Sequence, residues 1–265
     1  MLHFLHIPKT GGSTIFTSLK RIYGEKRIIN LNNEDVDYEF KNELFNQKIE
    51  DEINLKQDAE LVFGHFRFGL HKYLDKAPQY IAFFRNPIDQ YLSLYYYIRI
   101  LDEYPDVKQR VALKENLEKY IKSDLCLYTH NMQTYFLCEA PNRASFLSEP
   151  ERMLAQAKNN LNEHIIFCGI IEHYDESLII LKEILGWKKL PLYTKHKVNK
   201  NRPKLEEHDE IIIKKINELN KYDNELYNLA YEKFKEVKSG IKFLKIKVLI
   251  FRIVNRIYQL LRKHH

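Results

Sequence analysis

The sequence predicts an α/β fold: a mostly parallel central sheet flanked by helices, with a helical C-terminal extension. Three observations carry this. Short apolar runs alternate with stretches of helical periodicity, the pattern of parallel strands joined by crossover helices. Glycine and proline are scarce, at 8 each in 265 residues, unlike a turn-rich all-β chain. The apolar fraction, 45%, suffices for a buried core and excludes wholesale disorder.

Residues 2–7 are the first apolar run, a strand interrupted by His3 and His6. A loop with Gly11 and Gly12 follows, then Ile15, Leu19 and Ile22 at near-helical spacing. Ile28 and Ile29 form a short second strand. Residues 34–57 are charged and read as an exposed helix. Residues 60–64 are a buried strand ending at Gly64-His65. Residues 79–84 are another strand, running into Arg85-Asn86-Pro87. Pro87 suits the first turn of a helix, and Ile88, Tyr91, Leu92, Tyr95 and Ile98 supply its stripe. Residues 107–122 and 150–163 read as helices, 164–169 as a strand, and 173–185 as a helix ending at Gly186. A loop dense in Lys, Asn, Pro and Arg spans 187–204. Helices near 206–219, 222–238 and 241–263 close the chain. The expected division is an α/β domain over 1–238 and a basic amphipathic helix over 239–265.

Charge is unevenly placed. Residues 241–263 hold seven basic residues and no acidic one, so removing them takes the net charge from +6 to −1. The body lacks the basic excess of a nucleic-acid-binding surface, so no nucleic-acid partner is expected. The N-terminus has no basic stretch ahead of a long apolar one, and no window of about 18 apolar residues marks a membrane span. Cys126, Cys138 and Cys168 lack zinc-site spacing and cannot all pair, which suggests buried reduced thiols.

The densest chemistry lies in HIPKTGGST, residues 6–14. Two glycines let the backbone approach a ligand, and amide N–H groups at a helix start favour an anion. Lys9 adds charge; Thr10, Ser13 and Thr14 add hydroxyls. The alternative is a plain glycine turn between strand and helix. In the nucleoside-triphosphatase loop the lysine follows the glycines. Here it precedes them, and no apolar strand ending in Asp follows, so neither magnesium nor another metal is implied. The second segment is FFRNPIDQYLSLYYY, residues 83–97. Arg85 leaves a strand end and Ser93 lies about two helical turns on, so a bend at Asn86-Pro87 would let both address one anion. Sites in parallel sheets lie beyond the strands' carboxyl ends. The Pro8 loop, His65 and Arg85 should therefore meet there.

Together these segments resemble the sulfotransferases that use 3′-phosphoadenosine 5′-phosphosulfate. The likeness is to the carbohydrate branch that includes the heparan sulfate 2-O-sulfotransferases, and it covers roughly residues 2–236. It implies a P-loop-NTPase-like core. It also implies that Lys9, Thr10, Gly11, Gly12, Ser13 and Thr14 hold the 5′-phosphosulfate, and that Arg85 and Ser93 hold the 3′-phosphate. Gln90 replaces an arginine common in that pattern. His65, in a Gly-His segment, matches the catalytic base, and Phe63 stands where the pattern has a second His. Weaker likeness lies in Asn131-Met-Gln-Thr134 and in residues 153–176.

The resemblance thus implies sulfuryl transfer to a sugar hydroxyl, with Lys9 stabilising the transferring group. Arg67, beside His65, is expected to steer an acidic acceptor. The basic loop at 195–202 is either solvated or a lid, with Lys197, Lys200 and Arg202 as nucleotide contacts. The C-terminal helix either lies on an anionic membrane or packs on the domain or in a homo-oligomer. A nucleotide-dependent kinase and a non-enzymatic polyanion- or membrane-binding protein are the rival readings. The expected location is a bacterial cytoplasm, peripheral at the inner face of a membrane.

Overall fold

A computed structural model describes residues 1–31, 58–73, 77, 79–99, 116–123, 126–127, 129–194 and 202–262. The strands are β1 (Leu2–Leu5), β2 (Ile28–Leu31), β3 (Leu61–Gly64), β4 (Tyr80–Phe84) and β5 (Ile165–Ile170). The helices are α1 (Gly12–Tyr23), α2 (Pro87–Ile98), α3 (Leu117–Ile121), α4 (Met132–Leu137), α5 (Arg143–Ser148), α6 (Pro150–His164), α7 (Tyr174–Ile184), α8 (Glu210–Leu219), α9 (Lys221–Gly240) and α10 (Leu244–Arg262). All the strand pairs are parallel, in the order β2-β3-β1-β4-β5. The expected α/β architecture is borne out. The helix expected at 34–57 and most of the one at 107–122 lie outside the described residues.

Strand order decides where a ligand can enter. The chain leaves β1 toward β2 on one side of the sheet, and leaves β4 toward β5 on the other. Connections that diverge from neighbouring strands open a crevice at their carboxyl ends. That crevice lies between the loop after β1 and the loop after β4.

The sheet is buried on both faces, so its strands read as nearly continuous apolar runs. A row of phenylalanines crosses it. Phe16 of α1 packs on Phe63 (4.6 Å between ring centroids), Phe63 on Phe4 (5.2 Å), and Phe4 on Phe83 (5.6 Å). His3 stacks on Tyr80 at 4.8 Å. It is 0% exposed, and among the described residues neither ring nitrogen has a hydrogen-bond partner. Cys126, Cys138 and Cys168 are free, buried thiols, as composition suggested.

The C-terminal helices join this core. Leu226, Ala230 and Phe234 of α9 belong to the main apolar cluster, and so do Leu244, Val248 and Phe251 of α10. The two helices are separate because Phe243 takes φ 57, which no α-helix continues through. A buried polar knot ties α9 to α4. The Asp223 carboxylate, 0% exposed, accepts from Gln133 N (3.0 Å), Thr134 N (2.7 Å) and Thr134 Oγ1 (2.7 Å). Asn131 Oδ1 accepts from the backbone N–H groups of Tyr222 and Asp223, each at 3.1 Å. The Asp223 carboxylate thus does the work of a helix cap from another segment of the chain.

Two outcomes follow. Asp223→Ala leaves three buried donors without their acceptor, and should cost about 3–5 kcal/mol in urea unfolding. Burial holds His3 down at about 4. Below pH 6.5 the unfolded chain therefore binds a proton that the folded chain refuses, and stability falls as pH drops toward 4. His3→Phe should remove that penalty, so its advantage over wild type grows toward about 3 kcal/mol between pH 6.5 and 4. A difference that is flat with pH refutes the assignment.

Candidate active site

The site begins with the loop after β1. Its backbone carbonyls are occupied one after another. His65 Nδ1–H donates to His6 O at 2.7 Å. Thr10 Oγ1 donates to Ile7 O at 2.8 Å. Gln90 Nε2 donates to Pro8 O at 2.9 Å, and Arg85 Nη1 to Lys9 O at 3.1 Å. Side chains from beyond β3, from beyond β4 and from α2 thus grip one short loop. The Pro8 loop, His65 and Arg85 do meet at the sheet edge.

The backbone then turns into α1. Lys9 takes φ 64 and Gly11 φ 78, both in the left-handed region. A non-glycine residue held there signals a functional constraint. Gly12 is required for a different reason. A Cβ on it would lie 1.8 Å from Nε2 of His6, whose ring covers this turn. The N–H groups of Gly12 and Ser13 open α1 and have no carbonyl one turn behind them. With the carbonyls of 6–9 engaged by protein donors, this end of the loop is suited to an anion.

His65 is half-buried, its ring stacked on His6 at 4.0 Å. A carbonyl can only accept, so the bond to His6 O keeps the proton on Nδ1. Neutral His65 then carries its lone pair on Nε2, the atom a general base would use. The sequence alone lets His6 pack or hydrogen-bond locally. In the structure His6 supplies the carbonyl, the stacked ring and the cover over Gly12. The second His of the 2-O pattern is Phe63 here, which is buried and packs against that same His6 ring at 5.3 Å.

On the other side of the loop, Arg85 is fixed at its backbone. Gln133 Oε1 accepts from Arg85 N (3.0 Å), and Gln133 Nε2 donates to Arg85 O (2.8 Å). Asn86 caps α2 by accepting from Ile88 N (3.1 Å) and Asp89 N (3.3 Å), and Glu172 accepts from Asn86 N at 2.8 Å. This is the expected bend. Burial pushes the Arg85 guanidinium below its ordinary value, and nearby Arg202 pushes the same way, against Asp89 and Glu172. The two guanidinium groups stand with two carboxylates: Arg202 is paired with Asp89, and Glu172 lies beside Arg85.

Gln90, Ser93 and Tyr97 stand at i, i+3 and i+7 of α2, on one face. That face looks at the loop: Gln90 holds Pro8 O, and the Lys9 ammonium lies 3.7 Å from the Tyr97 ring centroid. Half-buried Ser93 lies between them. Gln90 is thus a loop holder in the place of the pattern's arginine. Arg202 is brought in from the basic loop by Asp89 of α2, at 2.5 Å. Lys197 and Lys200 lie outside the described residues.

Two expectations need correction. Arg67 is 2% exposed, and its guanidinium donates to the carbonyls of Ala140 and Pro141 and lies over the Tyr135 ring. It braces the segment after α4 and does not face an acceptor. The Thr10 hydroxyl is buried and turned back on Ile7 O, so it shapes the loop from inside. An open cavity of about 420 Å³ adjoins Gly11 and Thr14, bordered by Glu172, Asp175, Glu176 and Arg252. Of its carboxylates, Asp175 is paired with Arg252 and Glu176 with Lys238, while Glu172 accepts from Asn86 N beside Arg85.

Gln133, Gln90 and Tyr97 were not foreseen as site residues. The signal for Gln133 was its segment, residues 131–134. The signal for Gln90 and Tyr97 was their spacing about Ser93.

A family model and several relatives match this chain. A model of the galactose-3-O-sulfotransferase family matches residues 1–241. Uronyl 2-sulfotransferases of Homo sapiens and Mus musculus are each 26% identical over 192 residues, covering 66% of this chain and 46% of the relative. Heparan sulfate 2-O-sulfotransferase 1 of Gallus gallus is 27% identical over 193 residues, covering 66% of this chain and 54% of the relative. The chain thus spans about half the length of the curated relatives it matches. On the match over residues 1–241, the chain belongs to the galactose-3-O-sulfotransferase family.

Proposed function

We propose that this protein transfers a sulfuryl group from 3′-phosphoadenosine 5′-phosphosulfate to a carbohydrate hydroxyl. One observation carries the reading. His65 and Arg85 flank the Pro8 loop from opposite sides, bonded to the carbonyls of His6 and Lys9. A base on one side and a guanidinium on the other suit a donor that lies across the loop.

The division of labour follows. The N–H groups of Gly12 and Ser13, with Lys9, receive the 5′-phosphosulfate, aided by the positive end of the α1 dipole. Thr14 stands one residue further into the same turn. Arg85, with Ser93 and Arg202 close by, receives the 3′-phosphate. His65 Nε2 accepts the acceptor's proton as its oxygen bonds to sulfur. The sulfur–oxygen bond to the 5′-phosphate breaks, and the electron pair leaves with that phosphate. Lys9 and the amides stabilise the charge that develops there. Holding both reactants at one sheet edge lowers the entropic part of the barrier. The names of the relatives support a glycan acceptor.

His65→Ala should lower turnover about 10²–10⁴-fold, with a far smaller loss of affinity for adenosine 3′,5′-bisphosphate in calorimetry, since one of the bonds that hold the loop goes with it. Full turnover in that variant removes His65 as the base. Arg85→Ala should weaken adenosine 3′,5′-bisphosphate roughly 10–100-fold and adenosine 5′-phosphate much less. An equal loss for both ligands would mean that Arg85 acts only by holding the loop. A screen with labelled donor against uronic-acid glycans, galactose-ended glycans and phenols identifies the acceptor class. Transfer to phenols alone overturns the carbohydrate reading.

A further inference from the structure

Helix α10 is apolar on two opposite faces. Leu244, Val248, Phe251 and Asn255 are buried against the body. Ile246, Leu249, Ile250, Ile253, Ile257 and Leu260 are each 53–59% exposed. At about 100° per residue, these six fall on the side away from the buried four. They form an unbroken aliphatic ridge along the helix. Scattered surface leucines need no explanation, but a contiguous ridge of this kind does.

The charges around the ridge indicate its occupant. Lys245 and Arg256 are exposed along one flank, and Lys242 and Arg262 stand near the two ends. Residues 241–263 contain no acidic residue. Two copies of this helix packed ridge to ridge would bring like-charged rims together. An anionic headgroup layer would neutralise them. Among the described residues no helix is long and apolar enough to cross a membrane, so α10 would lie in the plane of the surface.

We propose that the outer face of α10 docks this protein on an anionic lipid surface, with the Ile/Leu ridge in the acyl boundary and Lys245 and Arg256 on the headgroups.

The test uses the full chain and vesicle sedimentation. Vesicles of phosphatidylcholine with phosphatidylglycerol should carry the protein down, more weakly at high salt. Vesicles of phosphatidylcholine alone should carry much less. The triple variant Ile250→Asp, Ile253→Asp, Ile257→Asp should lose more than about 100-fold in partitioning. Lys245→Gln with Arg256→Gln should lose about 30-fold at low salt. Both variants should keep the wild-type circular dichroism and urea midpoint, since only outward side chains change. Absence of binding to the anionic vesicles overturns the proposal. So does a well-folded ridge variant that binds as tightly as wild type. A homodimer in light scattering that the ridge variant dissolves, without vesicle binding by wild type, assigns the ridge to a second copy instead.

Discussion

The whole site depends on one constraint: the backbone carbonyls of residues 6–9 must all be satisfied while the amides that follow stay available for a ligand. A loop leaving a buried strand carries polar groups that burial would otherwise leave costly. Here the acceptors come from the loop, and every donor but Thr10 comes from elsewhere. His65, Thr10, Gln90 and Arg85 each take one carbonyl. Each bond contributes about 1 kcal/mol net, somewhat more for the guanidinium. Their larger effect is geometric. With its carbonyls fixed, the loop cannot rotate its peptides, and Lys9 and Gly11 are held at positive φ. The proposed base, His65, and the proposed 3′-phosphate contact, Arg85, are themselves clamps, so in this reading loop shape and site chemistry are set by the same side chains.

A second layer holds the clamps. Arg85 is bracketed at both its N–H and its carbonyl by Gln133, and the N–H of Gln133 rests on Asp223. Helix α9 therefore reaches the sheet edge through a chain of buried hydrogen bonds. Asp223 is a carboxylate whose burial raises its ordinary value and whose bonds to Thr134 and Gln133 lower it. Such a group is tolerated because its donors are backbone amides that need an acceptor. The C-terminal helices are thus structural parts of the site, although they hold none of the residues proposed to touch the donor.

Much of this was legible in the sequence, for a definite reason. The Pro8 loop, His65 and Arg85 each follow an apolar run directly, and parallel sheets gather such positions at one edge. What was not legible depends on docking between distant segments. Gln90 and Tyr97 matter because one face of α2 meets the loop, and periodicity alone does not say which face that is. Gln133 finds Asp223 across 90 residues. Arg67 misled because nearness to His65 in the chain says nothing about burial. Its acceptors are carbonyls more than 70 residues away. Residues 206–219 read as one helix, but the chain makes a short 3₁₀ turn at Leu205–Glu207 before Asp209 caps α8 by accepting from Ile211 N at 2.7 Å.

The C-terminal helix shows how the same pattern can be half read. Its sequence has apolar residues nearly all round and basic residues between them, which fits either a docked helix or a surface-binding one. In the structure one face is docked on the body and the other is exposed. Polar contacts fix the rotation of the helix: Arg252 Nε donates to Asp175 at 2.7 Å, Lys247 pairs with Glu183, and Asn255 Oδ1 accepts from Tyr193 N at 2.8 Å. Rolling α10 to hide the outer ridge would break these contacts and expose Leu244, Val248 and Phe251 in exchange. The polar bonds and the seating of Leu244, Val248 and Phe251 in the main apolar cluster keep the ridge outside. The positive excess of the chain sits beside that ridge, and the rest of the chain is nearly neutral.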